Sequence, residues 1–133
     1  MKSISNFKNT NNLFIWGSQS KSKIIINMIS KQEAFHKNSY FKEKFHITGI
    51  FDPFVKNLKK LNEIKIYNSR NSLLTLLKKN NYFIVCLGNE QGYARNLISE
   101  EITKRGLKPL SIISKNSFID ETSKLAKGVF IMP

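Results

Sequence analysis

Residues 13–25 read LFIWGSQSKSKII: four apolar residues, a glycine, a polar run, and then apolar residues again at Ile24 and Ile25. Leu13–Trp16 has the length and composition of a buried strand, and Gly17 supplies a tight turn at its end. From Ser20 to about Phe35 the apolar positions Ile24, Ile25, Met28 and Ile29 recur at helical spacing. The order is strand, glycine turn, helix, and it returns further on. Residues 82–88, YFIVCLG, are apolar almost throughout and end in Gly88, as suits a central strand covered on both faces. A helix over about Gln91–Arg105 follows, with Ala94, Leu97, Ile98 and Ile102 on one face and Gly106 as its C-terminal cap.

Between these two units, HITGIFD (46–52) predicts a second strand ending at Asp52-Pro53, and IKIYN (64–68) a third. Asn68 or Ser69 is placed to cap a helix that buries Leu73, Leu74, Leu76 and Leu77. LKPLSII (107–113) predicts a fifth strand. Strands alternating with helices imply right-handed crossovers, so the expected class is α/β: an open parallel sheet of about five strands with helices on both faces.

Ligands of such sheets bind outside the carboxyl ends of the strands. Those ends carry Gly17-Ser18-Gln19-Ser20-Lys21, then Asp52-Pro53, then Gly88-Asn89-Glu90. A helix starting near Ser20 turns free N–H groups and a positive dipole end toward the Gly17 loop, which suits a phosphate, with Ser18, Ser20 and Lys21 as further donors. Asp52 is placed to accept hydrogen bonds from a ribose or a base. Gly88 allows close backbone approach, and Asn89 and Arg95 offer an amide and a cation. The loop has one glycine where a dinucleotide fingerprint has three, and it lacks the second glycine of a P-loop.

Composition narrows the function classes. At 133 residues the chain fits one domain with a short appendage. No apolar run reaches the roughly 18 residues that span a bilayer, and Met1–Asn12 has no signal-like apolar core, so a cytoplasmic protein is expected, away from membranes. The net charge of +13 suggests nucleic acid, but 19 of the 22 basic residues are lysine, scattered and without interleaved aromatics. Base readout favours Arg forks, so a solvated basic surface is the expectation and nucleic acid is not expected as a partner. His36 and His46 have no Cys or paired carboxylate at metal-ligand spacing, so no metal is expected, and no nucleophile motif supports covalent catalysis. Cys86 is expected to be a buried, inert thiol.

The end of the chain follows another rule. Ile119, Leu125 and Ile131 recur every six residues, with Ser117, Ser123 and Val129 two places earlier and Gly128 at a turn. That period is the mark of a hexapeptide β-helix, in which three hexads make one triangular coil. One coil buries little, and solenoids need about three repeats, so the tail reads as the start of something longer.

With these residues in view, the chain resembles the bacterial sugar O- and N-acyltransferases of the sialic acid O-acetyltransferase and UDP-4-amino-sugar N-acetyltransferase type. LFIWGSQSKSKII resembles that family's opening strand and glycine loop, ITGIFDPF its second strand, IVCLGNEQGYAR its Gly-Asn...Arg segment, and SIISKNSFIDETSKLAKGVFIMP the start of its left-handed β-helix. The likeness covers nearly everything after Asn12. The family's loop usually carries Ser-Gly-His where this chain has Gln19-Ser20-Lys21, and its acidic pair is reduced here to Asp52 before Pro53.

The resemblance implies a flexible polar arm (1–12), a Rossmann-like acceptor-binding domain (13–113) and the first β-helix coil (114–133). It implies a nucleotide-sugar or sugar acceptor, a UDP-sugar favoured, with Gly17, Ser18, Asp52, Gly88, Asn89 and Arg95 on the acceptor side. In the family the β-helix forms homotrimers, binds acetyl-CoA between coils and supplies a histidine as general base. Those parts would lie beyond Pro133, so this chain is expected to hold no catalytic residue and no cofactor of its own, as a truncated product or a fragment of a longer reading frame. A nucleotide- or NAD-binding module without acyltransfer is the alternative.

Overall fold

The computed structural model describes residues 11–31, 45–57, 59–88, 91–110, 112–113 and 130–131. Their elements, in chain order, are β1 (Asn12–Trp16), α1 (Ser20–Lys31), β2 (His46–Phe51), β3 (Lys60–Leu61), β4 (Ile64–Tyr67), α2 (Arg70–Lys79), β5 (Tyr82–Val85), α3 (Gly92–Lys104), β6 (Lys108–Pro109), β7 (Ile112–Ile113) and β8 (Phe130–Ile131). The main sheet has six strands in the order β3-β4-β2-β1-β5-β6. β1 pairs in parallel with β2 and β5, β2 with β4, and β5 with β6, so the expected open parallel sheet is present. Only β3, hairpinned onto β4, runs antiparallel within it.

Side-chain alternation along the strands sorts the core into two layers. Leu13, Ile15, Ile50, Ile84 and Cys86 face one side and pack with Ile25, Ile26, Met28 and Ile29 of α1. Phe14, Phe51, Phe83 and Val85 face the other and pack with Leu76 of α2 and Ile102 of α3. Helices therefore cover both faces, as the all-apolar strands require. Ser69 caps α2, its hydroxyl accepting from Ser72 N at 3.1 Å. Gly106, at φ +96°, ends α3 as its composition predicts.

Two features depart from the sequence pattern. β3 and β4 form a tight hairpin through Asn62 (φ 49°) and Glu63 (φ 67°), the left-handed pair of a type I′ turn. The stretch 107–113 is not one strand. Lys108–Pro109 ends the main sheet, whereas Ile112–Ile113 pairs in parallel with Phe130–Ile131 in a separate sheet. Pro109 has no N–H to continue a ladder, which confines it to an edge.

The hexad positions Ser117, Ile119, Ser123, Leu125, Gly128 and Val129 lie outside the described residues, as do residues 1–10 of the polar arm, Asn89 and His36. No helix among the described residues is long and apolar enough to cross a membrane.

Candidate functional site

The sheet order puts the site at one place. From β1 the chain first builds outward through β2 and β4, then returns to lay β5 and β6 on the other side. The carboxyl ends of β1 and β5 thus flank the point where the strand order reverses, the usual ligand crevice of such sheets. Gly17 follows β1 and Gly88 follows β5.

Gly17 is clamped from both sides. Its N–H donates to Phe51 O at 2.8 Å, and beside it the Cys86 N–H donates to Trp16 O at 2.7 Å. Its φ is +109°, and a Cβ built on it collides with the carbonyl oxygen of Cys86. The fold therefore requires glycine here, whatever binds. The buried Ser22 hydroxyl donates to Gly17 O at 2.7 Å, and Ser22 N donates to Gln19 O at 2.9 Å, so the loop and the first turn of α1 form one unit. α1 begins at Ser20 with no acidic residue in its first turn, which leaves its positive end unneutralised by its own side chains.

Asp52 is only 5% exposed and its carboxylate is occupied from within. Oδ2 accepts from Ser18 N at 3.1 Å and from Ser18 Oγ at 2.6 Å, while Oδ1 accepts from Phe54 N at 3.0 Å. A carboxylate has about four acceptor directions, and three are taken. The acidic group expected to meet a ribose thus binds the Gly17 loop to the end of β2.

At the end of β5, burial pushes the Cys86 thiol up from an ordinary 9.0 to about 12, outweighing its hydrogen bond with Ser22 and the charges of Lys21 and Arg95, all of which act in the opposite sense. Both cations are therefore close to this strand end, one from α1 and one from α3. Native protein at pH 8 should resist iodoacetamide while urea-unfolded protein is alkylated, as mass spectrometry would show. The unfolded thiol ionises near its ordinary value and the folded one only near 12. Its contribution to stability is thus intact below about pH 9 and is lost as pH rises toward 12.

Gly88 differs from Gly17. It is exposed, its φ lies outside the left-handed region, and the nearest atom to an added Cβ is Gln91 Oε1 at 3.9 Å. No described protein atom requires glycine there.

The structure thus gathers Gly17, Ser18, Gln19, Ser20, Lys21, Asp52, Gly88 and Arg95 at one edge of the sheet. Two residues absent from the sequence-based set join them: Phe54, 87% exposed after β2, and Tyr93, 78% exposed at the start of α3. Their signal is an aromatic where a solvated turn or helix start favours polar residues. Grooves among the described residues also lie elsewhere. One of about 310 Å³ runs between α2 and α3 over Trp16, Leu73 and Leu97. A larger one, about 540 Å³, opens at the amino ends of β5 and β6 among Lys78, Tyr82 and Lys108. That edge receives the negative ends of α2 and α3, which Lys78, Lys79 and Lys104 complement, so its cations already have a structural role.

Together these elements define a Rossmann-like α/β fold. No protein-family model matches the chain, and no curated protein matches it. Among solved structures, a mutant perosamine N-acetyltransferase from Caulobacter crescentus in complex with CoA and GDP-perosamine is similar at TM-score 0.68 and 15% identity, over 91% of this chain and 51% of that one. The chain thus spans about half the length of that acetyltransferase. UDP-D-quinovosamine 4-dehydrogenase from Vibrio fischeri matches at TM-score 0.57 and 20% identity, over 74% of this chain and 75% of that one. RSP, a Rex-family repressor in complex with NADH, matches at 0.55 and 15%, over 98% and 56%. At these identities the likeness is one of fold, shared by sugar-modifying enzymes and NAD-binding proteins alike.

Proposed function

We propose that this chain is the acceptor-binding domain of an acetyl-CoA-dependent sugar O- or N-acyltransferase, joined to the first coil of a left-handed hexapeptide β-helix. The observation that carries the proposal is the register of the second sheet. β7 pairs in parallel with β8 as Ile112↔Phe130 and Ile113↔Ile131, an offset of 18 residues. Three hexads span that distance, and Ile113 falls in the same slot as Ile119, Leu125 and Ile131. Parallel strands stacked one coil apart are what a β-helix needs. The occupied Asp52 carboxylate also favours this reading, since a dinucleotide site relies on such a group to hold a ribose.

In the proposed reaction, a general base in further coils takes a proton from the sugar amine or hydroxyl. The freed nucleophile attacks the thioester carbonyl of acetyl-CoA, and CoA leaves as its thiol after reprotonation. The present chain would contribute binding and orientation. The α1 terminus, Lys21 and Arg95 would meet the diphosphate of a nucleotide-sugar, and Gly88 would leave room for it. Trimerisation through the full set of coils, weak or absent with the single coil of these 133 residues, and a cytoplasmic location belong to the same proposal.

Calorimetric titration with UDP, GDP, CMP and NAD tests it. A nucleoside diphosphate should bind saturably, and Gly88→Ala should weaken that binding about tenfold or more at an unchanged melting temperature. Binding of NAD alone would favour the dinucleotide module, and binding of none of the four would remove the acceptor site.

A further inference from the structure

The residue at this edge that the fold explains least is Phe54. Its ring is 87% exposed, so it contributes little to the core. Its backbone, by contrast, is held firmly. Asp52-Pro53-Phe54-Val55 is a turn closed by Val55 N donating to Asp52 O at 3.4 Å, with Pro53 restricting φ and the Asp52 side chain accepting from Phe54 N at 3.0 Å. Asn68 Nδ2 donates to Val55 O at 2.8 Å and ties the end of the turn to the segment after β4. The second carboxylate oxygen of Asp52 holds Ser18 through two hydrogen bonds. One buried carboxylate therefore fixes the backbone of Phe54 against the residue that follows Gly17.

β1 and β2 are adjacent, and paired strands lie about 4.8 Å apart, so the turn stands beside the Gly17 loop. Tyr93, also exposed, lies in the first turn of α3, which follows β5, and Lys21 and Arg95 are both near enough to the end of β5 to act on the Cys86 thiol. An exposed flat ring, rigidly based and next to a cationic loop, suits a ligand with a phosphate at one end and a planar base at the other.

Resting on the acceptor-site reading above, we infer that Phe54 is the nucleobase platform of that site, on which the base of a nucleoside diphosphate stacks. Asp52 acts through it as a positioning residue. Base stacking on an aromatic face is tolerant of base identity, so both pyrimidine and purine diphosphates should respond to its loss.

The test is calorimetry with UDP, GDP and inorganic pyrophosphate on the wild-type chain and on Phe54→Ala, Phe54→Leu and Phe54→Tyr. For whichever diphosphate the wild type binds, Phe54→Ala and Phe54→Leu should weaken binding roughly 5- to 150-fold and Phe54→Tyr should restore it. Pyrophosphate affinity and the melting temperature should not move. Nucleotide binding unchanged in Phe54→Ala overturns the platform but leaves the acceptor site standing. An equal loss for pyrophosphate overturns it too, because the ring would then be shaping the loop. A wild-type chain that binds neither nucleotide overturns this inference, and the acceptor reading falls with it if CMP is not bound either.

Discussion

Gly17→Ala is expected to lower the unfolding free energy by about 3–5 kcal/mol, near the upper end for a single substitution. Holding a non-glycine residue at φ +109° costs about 1–3 kcal/mol by itself. The added methyl also meets the carbonyl of Cys86, which cannot retreat easily, because its own N–H is bonded to Trp16 O and its side chain is buried. The clash is relieved only by parting β1 from β5 near the Trp16↔Val85 pair, at about 1 kcal/mol for each hydrogen bond lost. Urea denaturation of the two proteins measures the difference. A loss below about 1 kcal/mol would mean that the loop relaxes and that its clamping is not structural.

Asp52→Ala is expected to cost about 2–4 kcal/mol and to abolish nucleotide binding together with the stability. The substitution strips the acceptor from Ser18 N, Ser18 Oγ and Phe54 N. Bonds to a charged acceptor contribute roughly 1.5–3 kcal/mol each, but they are not additive, and the freed donors partly reach water. Asp52→Asn should fall in between, since an amide can accept from one of these donors but presents its own N–H₂ group to the others. Chemical denaturation and titration of the same samples separate the two roles. If Asp52→Ala keeps full stability yet loses UDP or GDP while 2′-deoxy forms bind as before, the carboxylate is a direct ribose contact.

Much of the fold could be read directly from residue patterns, because the elements that define it are long or uniformly apolar. LFIW, YFIVCLG and the helical spacing of Ile25 and Ile29 leave few alternatives. The β3–β4 hairpin escaped because a two-residue strand has no periodicity to detect, and the Asn62-Glu63 turn lacks the glycine that usually marks one. The residues that gather at the carboxyl ends of β1, β2 and β5 were legible from the alternation of strands and helices. The internal hydrogen bonds of Asp52 were not. Its main partner, Ser18, is 34 residues away in sequence and arrives only through the β1–β2 register. Phe54 was missed for a related reason: an aromatic after Asp-Pro looks like any loop residue until its exposure is known.

The two outer strands of the main sheet have a further consequence. β3 and β6 are each two residues long, they carry Lys60 and Lys108, and one ends in Pro109. A long open edge of unpaired amides invites a strand from another molecule, which is how sheets seed aggregates. Here a newcomer would find almost no ladder to extend, a lysine at either margin and, at one of them, a residue with no amide proton. The sheet can thus keep a strongly apolar centre in a crowded solution without recruiting its neighbours.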